Sequence, residues 1–284
     1  MAKEKIPTRD FDPSSLPRNR KKQFFDSLKN EWRLFFSISF LLAIFILPLF
    51  CDYLVFSLLI GGANNSLADN NQIFSLVFYG ALIAIPCIMI LYLGLAGAFN
   101  VAKKLSYSEM QITTPSFFYG IKEIWKKALL QGLIVGVSAF LAIVGCLYLL
   151  FFYTTHSVLV GVLMGIDILQ FITFTMASIF TLTQSFVYSN KATAEYKNAF
   201  LMSIAHFPMN FVFFLISPGL FIALFVISNV TALIAFGVAI LFSFPFIYLW
   251  ELRALVIFDK MINQYHYPEY LKKGLYVPKN NKED

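Results

Sequence analysis

Six stretches of predominantly apolar residues divide this chain: Leu34 to Ile60, Ile73 to Val101, Ala128 to Tyr153, Val158 to Tyr188, Phe207 to Ser228 and Val230 to Trp250. About 20 apolar residues, rising 1.5 Å each, are what a helix needs to cross the hydrocarbon of a bilayer. Leucine, phenylalanine, isoleucine and small residues fill the runs without the alternation of a barrel strand, so helices are expected. Composition agrees, with 13% charged residues and a mean hydropathy of +0.71, against roughly 25% charged in a soluble domain. The last two runs meet around ISNVT, and an alternative reading makes them one bent helix pair with a tight outer turn.

Cationic residues fix the expected orientation, because Lys and Arg near span ends stay on the cytoplasmic side. Nine precede the first run, five lie between the second and third, two between the fourth and fifth, and six follow the sixth, which accounts for all 22. The alternate connections carry none, so six spans with both termini cytoplasmic satisfy every charge. The net charge of +6 then reads as anchoring to anionic lipid, and nucleic acid is not an expected partner. Residues 1–23 are polar and interrupted by proline, and read as a flexible basic segment without the apolar core of a cleaved signal. Residues 24–255 read as the transmembrane domain, and residues 256–284 as a cytoplasmic tail lying along the membrane surface.

A repeat underlies the runs. FFDSLKNEWR at Phe24 to Arg33 returns as FFYGIKEIWK at Phe117 to Lys126, each just before an apolar run. On a helix, Phe24, Phe25, Leu28 and Trp32 form one apolar face, and Phe117, Phe118, Ile121 and Trp125 form the same face in the second copy. Arg33 and Lys126 follow the tryptophans, so Phe24, Phe25, Trp32, Arg33, Phe117, Phe118, Trp125 and Lys126 are expected as interfacial anchors. Trp32 and Trp125 should mark where the chain turns from lying in the interface to crossing it. A weaker third copy, FLMSIAHFPMNFVFF, sets Ile204 against Ile121 and Pro208 against Trp125, and it has lost its charges. The expected fold is therefore an all-α bundle of six transmembrane helices, built as three pseudo-repeated hairpins, each opened by an inner amphipathic helix.

Polar residues inside the runs are the candidates for chemistry. Asp167, Gln170, Thr173, Thr181 and Gln184 recur at helical spacing in the fourth run, a candidate polar path or bundle core. An ionised carboxylate at Asp167 costs several kcal/mol unless paired, so protonation, hydrogen bonding in the bundle or a wet cavity is required. Asp52, Asn64, Asn65 and Asn229 could join it in an outward-facing vestibule, or serve only interface solvation and helix association. Pro48, Pro86, Pro218 and Pro245 should kink their spans, and Gly132 and Gly136 form a close-packing pair. Glu251 and Arg253 end the sixth run, where each can pair with a neighbour. Cys51, Cys87 and Cys146 form no metal spacing and read as packing residues, although Cys51 and Cys146 share the outer side. His156, His206 and His266 lie on different segments, so no metal is expected, nor any cofactor. Neither a P-loop nor a nucleophile elbow nor an HExxH occurs, which argues against an enzyme.

The segments LYLGLAGAFNVAKKL, PSFFYGIKEIWKKALLQGLI and YKNAFLMSIAHFPMNFVFFLI together resemble the YesL-like family of bacterial integral membrane proteins, a family built on a domain of unknown function. The resemblance covers roughly residues 20–275. It implies a helical protein of a bacterial cell membrane, often encoded beside carbohydrate ABC importers and glycan-degrading enzymes, and it carries no catalytic or binding residues with it. The chain does not read as the permease itself, since KATAEYKNAFLMSIAHFP holds Ala194, Glu195 and Ala199 but lacks the glycine of the coupling motif. The leading expectation is a non-catalytic accessory or assembly partner of a carbohydrate ABC import system, with permease subunits as partners beside the lipid bilayer. The alternative is a small-molecule transporter or channel with a polar path along the fourth run.

Overall fold

A computed structural model describes residues 16–65, 69–108, 114–152, 158–188 and 191–276. Among them the chain is helical and has no strand: α1 (Arg20–Asn30), α2 (Trp32–Asn65), α3 (Asn70–Ser106), α4 (Pro115–Phe152), α5 (Val158–Val187), α6 (Ala192–Ala205), α7 (Phe207–Ile216), α8 (Pro218–Ile227) and α9 (Asn229–Phe258). A π-helical turn, Asp259–Asn263, then α10 (Gln264–His266) and a short 3₁₀ turn, Pro268–Tyr270, close the described chain. Five helices are long and apolar enough to cross a membrane, and up to six when a bent pair is counted as one span.

The repeat is built into the backbone. Glu31 separates α1 from α2 with φ −115° and ψ 26°, and Ile124 bends α4 with φ −122° and ψ 19°. His206 separates α6 from α7 with φ −118° and ψ 25°. These three single-residue hinges have one conformation, and each joins a short helix to an apolar one. The first two fall one residue before Trp32 and Trp125, where the sequence places the turn. The third corrects the sequence alignment by one position, because His206 sits opposite Ile124, so Ser203 meets Ile121 and Phe207 meets Trp125. At this hinge α6 and α7 meet at 93°.

The fifth run is not one helix. Pro218 removes the N–H that would continue α7 and opens α8, and Ser217 between them has φ −122° and ψ −96°. Proline therefore breaks the span here, whereas Pro48, Pro86 and Pro245 lie within continuous α2, α3 and α9. The Ser217 hydroxyl occupies the gap, donating to the Phe213 carbonyl at 2.6 Å and accepting the Trp250 indole N–H at 2.7 Å. At the other end of α8, Ser228 and Thr231 cap α9 reciprocally, which makes the ISNVT junction a true helix start.

The descending helices α3, α5 and α9 form the centre. Their halves nearest the cationic end bury Ala96 to Ala102 of α3, Thr175 to Gln184 of α5 and much of Trp250 to Phe258 of α9. Each packs against the next unit's hinge helix: α3 on α4, α5 on α6 and α9 on α1. The α3–α4 contact depends on glycine, because a Cβ at Gly132 would lie 2.7 Å from the Met89 Cα and one at Gly97 would lie 2.8 Å from the Phe117 carbonyl. The outward faces are apolar: Phe36, Phe40, Ile44 and Leu47 line one exposed stripe of α2, and Leu159, Val162, Ile166 and Leu169 one of α5. Stripes of this kind are what hydrocarbon covers, so the chain is a multi-pass membrane protein.

Order begins earlier than composition suggests. Arg20 and Gln23, expected in a flexible segment, are buried in α1. Residues 1–15 lie outside the described chain. The tail is likewise packed rather than laid out alone: Gly274, at φ 81°, approaches the Ser106 carbonyl so closely that a Cβ would stand 2.1 Å from it. The Tyr276 N–H also donates to the Pro17 carbonyl at 3.0 Å.

Candidate functional site

The polar stripe of α5 divides between two environments. Asp167, Gln170 and Thr173 are half-buried, whereas Thr181 and Gln184 are buried in the core. Asp167 fits against the bare backbone of Gly145 on α4, where a Cβ would meet its Oδ2 at 2.5 Å. Thr173 and Thr181 donate back to Leu169 and Ala177 of their own helix, each at 2.8 Å. Gln184 donates Nε2 to the Met202 sulfur at 3.9 Å, and its Oε1 has no partner among the described residues. These hydroxyls are occupied within the helix, as Thr in apolar helices commonly is.

Asp52 does not join this stripe. It lies on α2, which packs on α3 and α9, while Asp167 faces α4. The Tyr53 hydroxyl donates to Asn229 Oδ1 at 3.3 Å, so Asn229 is engaged between α2 and α9. The side chains of Asn64 and Asn65 lie outside the described residues, and so does His156. Of the residues expected in the vestibule, Asn229 thus meets the neighbour of Asp52, whereas Asp167 is seated against Gly145 of α4. The three cysteines are free thiols, without the conceivable Cys51–Cys146 bridge.

The anchors separate by depth. Phe25, Trp32, Phe118 and Trp125 are exposed. The Arg33 guanidinium lies 5.6 Å from the Trp32 ring and the Lys126 ammonium 5.4 Å from the Trp125 ring, the same cation–π pair at two hinges. Phe117 corrects the expectation: it is 0% exposed, inserted between Gly97 and Phe45. Phe24 is half-buried and stacks on Tyr248 at 6.0 Å. One aromatic of each pair faces the core, and the other faces outward.

What sequence reasoning missed is a polar layer under α1 and the tail. Arg20 donates Nη1 to Gln23 Oε1 at 2.9 Å and to the Ser106 carbonyl at 3.4 Å, and its Nη2 lies 3.7 Å from Asp259 Oδ2. Gln23 Nε2 donates to the same carbonyl at 2.7 Å, which ties α1 to the end of α3. Asp259 also accepts from Asn263 Nδ2 at 2.8 Å and from the Lys272 N–H at 3.2 Å. Tyr188 donates to Asn263. Burial pulls the Arg20 guanidinium below its ordinary range, with Asp259 opposing it, and pushes the Tyr107 and Tyr188 phenols up. Tyr107 lies between cations, with the Lys273 ammonium 4.7 Å and the Lys103 ammonium 5.4 Å from its ring.

Two further acids are fully buried. Glu251 is 0% exposed, and neither of its oxygens has a hydrogen-bond partner among the described residues. Glu195 is equally buried but satisfied: both oxygens accept from Lys127 Nζ at 2.9 Å, and Oε2 accepts from Ser185 at 2.8 Å. That cluster joins α4, α5 and α6. The signal for it was legible, since Glu195 begins α6 and Lys127 ends a basic run, but sequence spacing does not tell which cation meets which acid. Among the described residues no three His, Cys, Asp or Glu side chains converge as metal ligands. Comparison with protein-family models, with curated proteins and with solved structures finds no match to this chain.

Proposed function

We propose that this chain is a non-catalytic protein of a bacterial cell membrane, with both termini cytoplasmic, and an accessory or assembly partner of a carbohydrate ABC import system. The observation that carries the accessory role is the pairing at the first two hinges. Trp32 with Arg33, and Trp125 with Lys126, present an aromatic ring and a cation on exposed surface at equivalent places. In contrast, Thr173, Thr181 and Gln184 spend their donors inside the bundle. Such a distribution suits a protein that works through its surface more than through an internal path. The kind of partner rests on the YesL-like resemblance, and the orientation on the distribution of cations.

The test is capture from native membranes in mild detergent. Wild-type protein should retain sugar-permease subunits, and the W32A/W125A pair should lose them while keeping its fold. A wild-type preparation from which permease subunits are missing under several detergents counts against the proposal.

A further inference from the structure

The third hinge differs from the other two. Its short helix α6 ends without a Trp–cation pair, because Phe207 and Pro208 stand where Trp125 and Lys126 stand in the second copy. The cations come instead from the descending helix: Arg253 and Lys260 of α9 and the following turn, beside His206, border an open groove of about 340 Å³. Met209, Val256 and Ile257 form its apolar wall. Arg253 donates Nε to Asn210 Oδ1 at 3.4 Å and lies 5.8 Å from the Phe213 ring, which fixes the guanidinium at the groove. No carboxylate pairs with His206, Arg253 or Lys260 among the described residues, whereas Lys127 near the second hinge is held by Glu195. From the groove, exposed Met209, Val212 and Ile216 continue along α7 at i, i+3 and i+7, an apolar track on one face.

From this geometry we propose that the groove is a binding site for an anionic phospholipid, with the phosphodiester held by Arg253 and Lys260 and an acyl chain lying along Met209, Val212 and Ile216. The cations supply charge that no carboxylate pairs with among the described residues, and the Arg253 fork suits a phosphate oxygen pair. The α7 amino terminus, with no side-chain cap at His206, adds positive potential at the same place. The apolar track selects a lipid over a free phosphate, which has no use for it. This inference is independent of the import-system reading, since lipid occupancy is measured on the purified protein alone.

Native mass spectrometry of protein equilibrated in mixed phosphatidylglycerol and phosphatidylcholine micelles reads the site directly. Wild type should retain phosphatidylglycerol in preference to phosphatidylcholine, and R253Q/K260Q should lose about tenfold or more of that retention, since each cation near the surface contributes roughly 1 kcal/mol. M209W, which fills the groove and leaves the cations in place, should lose retention as well, and K21Q/K22Q on the exposed face of α1 should not. Circular dichroism establishes that each variant is folded. Unchanged retention in folded R253Q/K260Q overturns the site. Displacement of the lipid by millimolar inorganic phosphate overturns the lipid assignment in favour of a soluble anion.

Discussion

Glu31 and Ile124 stand 93 residues apart and adopt one backbone conformation, φ −115°, ψ 26° and φ −122°, ψ 19°. A carboxylate and a branched alkyl group share no local preference that would produce this, so the hinge belongs to the position and not to the side chain. His206 repeats it at φ −118°, ψ 25°. At each hinge the short helix packs on a descending helix while the apolar helix departs, and this is what closes the cationic end of the bundle.

The paired phenylalanines of the repeat should respond oppositely to truncation. Phe117 is 0% exposed against Gly97 and Phe45, so F117A leaves a cavity and should cost about 3 to 5 kcal/mol. Phe118 is 53% exposed, and F118A should change stability by about 0.5 kcal/mol or less. Denaturant unfolding in micelles, followed by circular dichroism, compares the two. Equal costs would mean that the second repeat does not direct one ring inward and one outward.

Glycine substitutions should map the close approach of α3 and α4. G132A places a methyl 2.7 Å from the Met89 Cα, a backbone atom that has nowhere to go, and should cost about 1 to 3 kcal/mol. G165A on α5 meets nothing within 4 Å and should be neutral or stabilise by up to about 1 kcal/mol through helix propensity. Thermal unfolding of both in one detergent decides it.

Much of the architecture was legible because hydrocarbon is an exacting solvent. Apolar runs of spanning length have one solution, the helix, and the FF…W phrase announced the hinge to within a residue at Trp32 and Trp125. Three things were not legible. The break at Ser217 does not follow from proline alone, since α2 continues through Pro48 while the chain breaks before Pro218, and which proline ends its helix is a tertiary fact. The depth of Phe117 against Phe118 is set by a glycine some twenty residues upstream. The polar layer of Arg20, Gln23 and Asp259 joins the two ends of the chain, and no local pattern couples them. Of the candidate polar residues of α5, Thr181 and Gln184 are buried and Asp167 is only half-buried, and helical periodicity alone does not show that Asp167 finds its niche in the missing side chain of Gly145.

The Lys127–Glu195 pair should show a non-additive response. K127M leaves a carboxylate 0% exposed with only Ser185 to serve it, and should cost about 2 to 4 kcal/mol, the figure for an orphaned buried charge reduced for the 29% exposure of Lys127. K127M/E195Q removes that charge while keeping the acceptor for Ser185, so the double variant should be more stable than K127M alone. A double-mutant cycle by chemical unfolding measures the difference. If the double variant is the weaker of the two, Glu195 is satisfied by groups other than Lys127.

Glu251 should behave in the opposite sense. Its carboxyl is 0% exposed and makes no close hydrogen bond among the described residues, while the Thr183 hydroxyl and the Arg20 and Lys103 cations act on it from further off, so its burial is only partly compensated. Asn100 and Gln184, on the other two descending helices, use amide donors toward the hinge helices, at the Ser116 carbonyl and the Met202 sulfur. E251Q supplies an amide donor of the same length and removes the charge, and it should raise stability by about 1 kcal/mol, while E251A should lower it by about 1 to 3 kcal/mol through the cavity it opens. Unfolding curves for the three proteins at neutral pH distinguish the outcomes. Should E251Q lose stability as E251A does, the charged carboxylate is held in place by Thr183, Arg20 and Lys103, and its burial is a net gain.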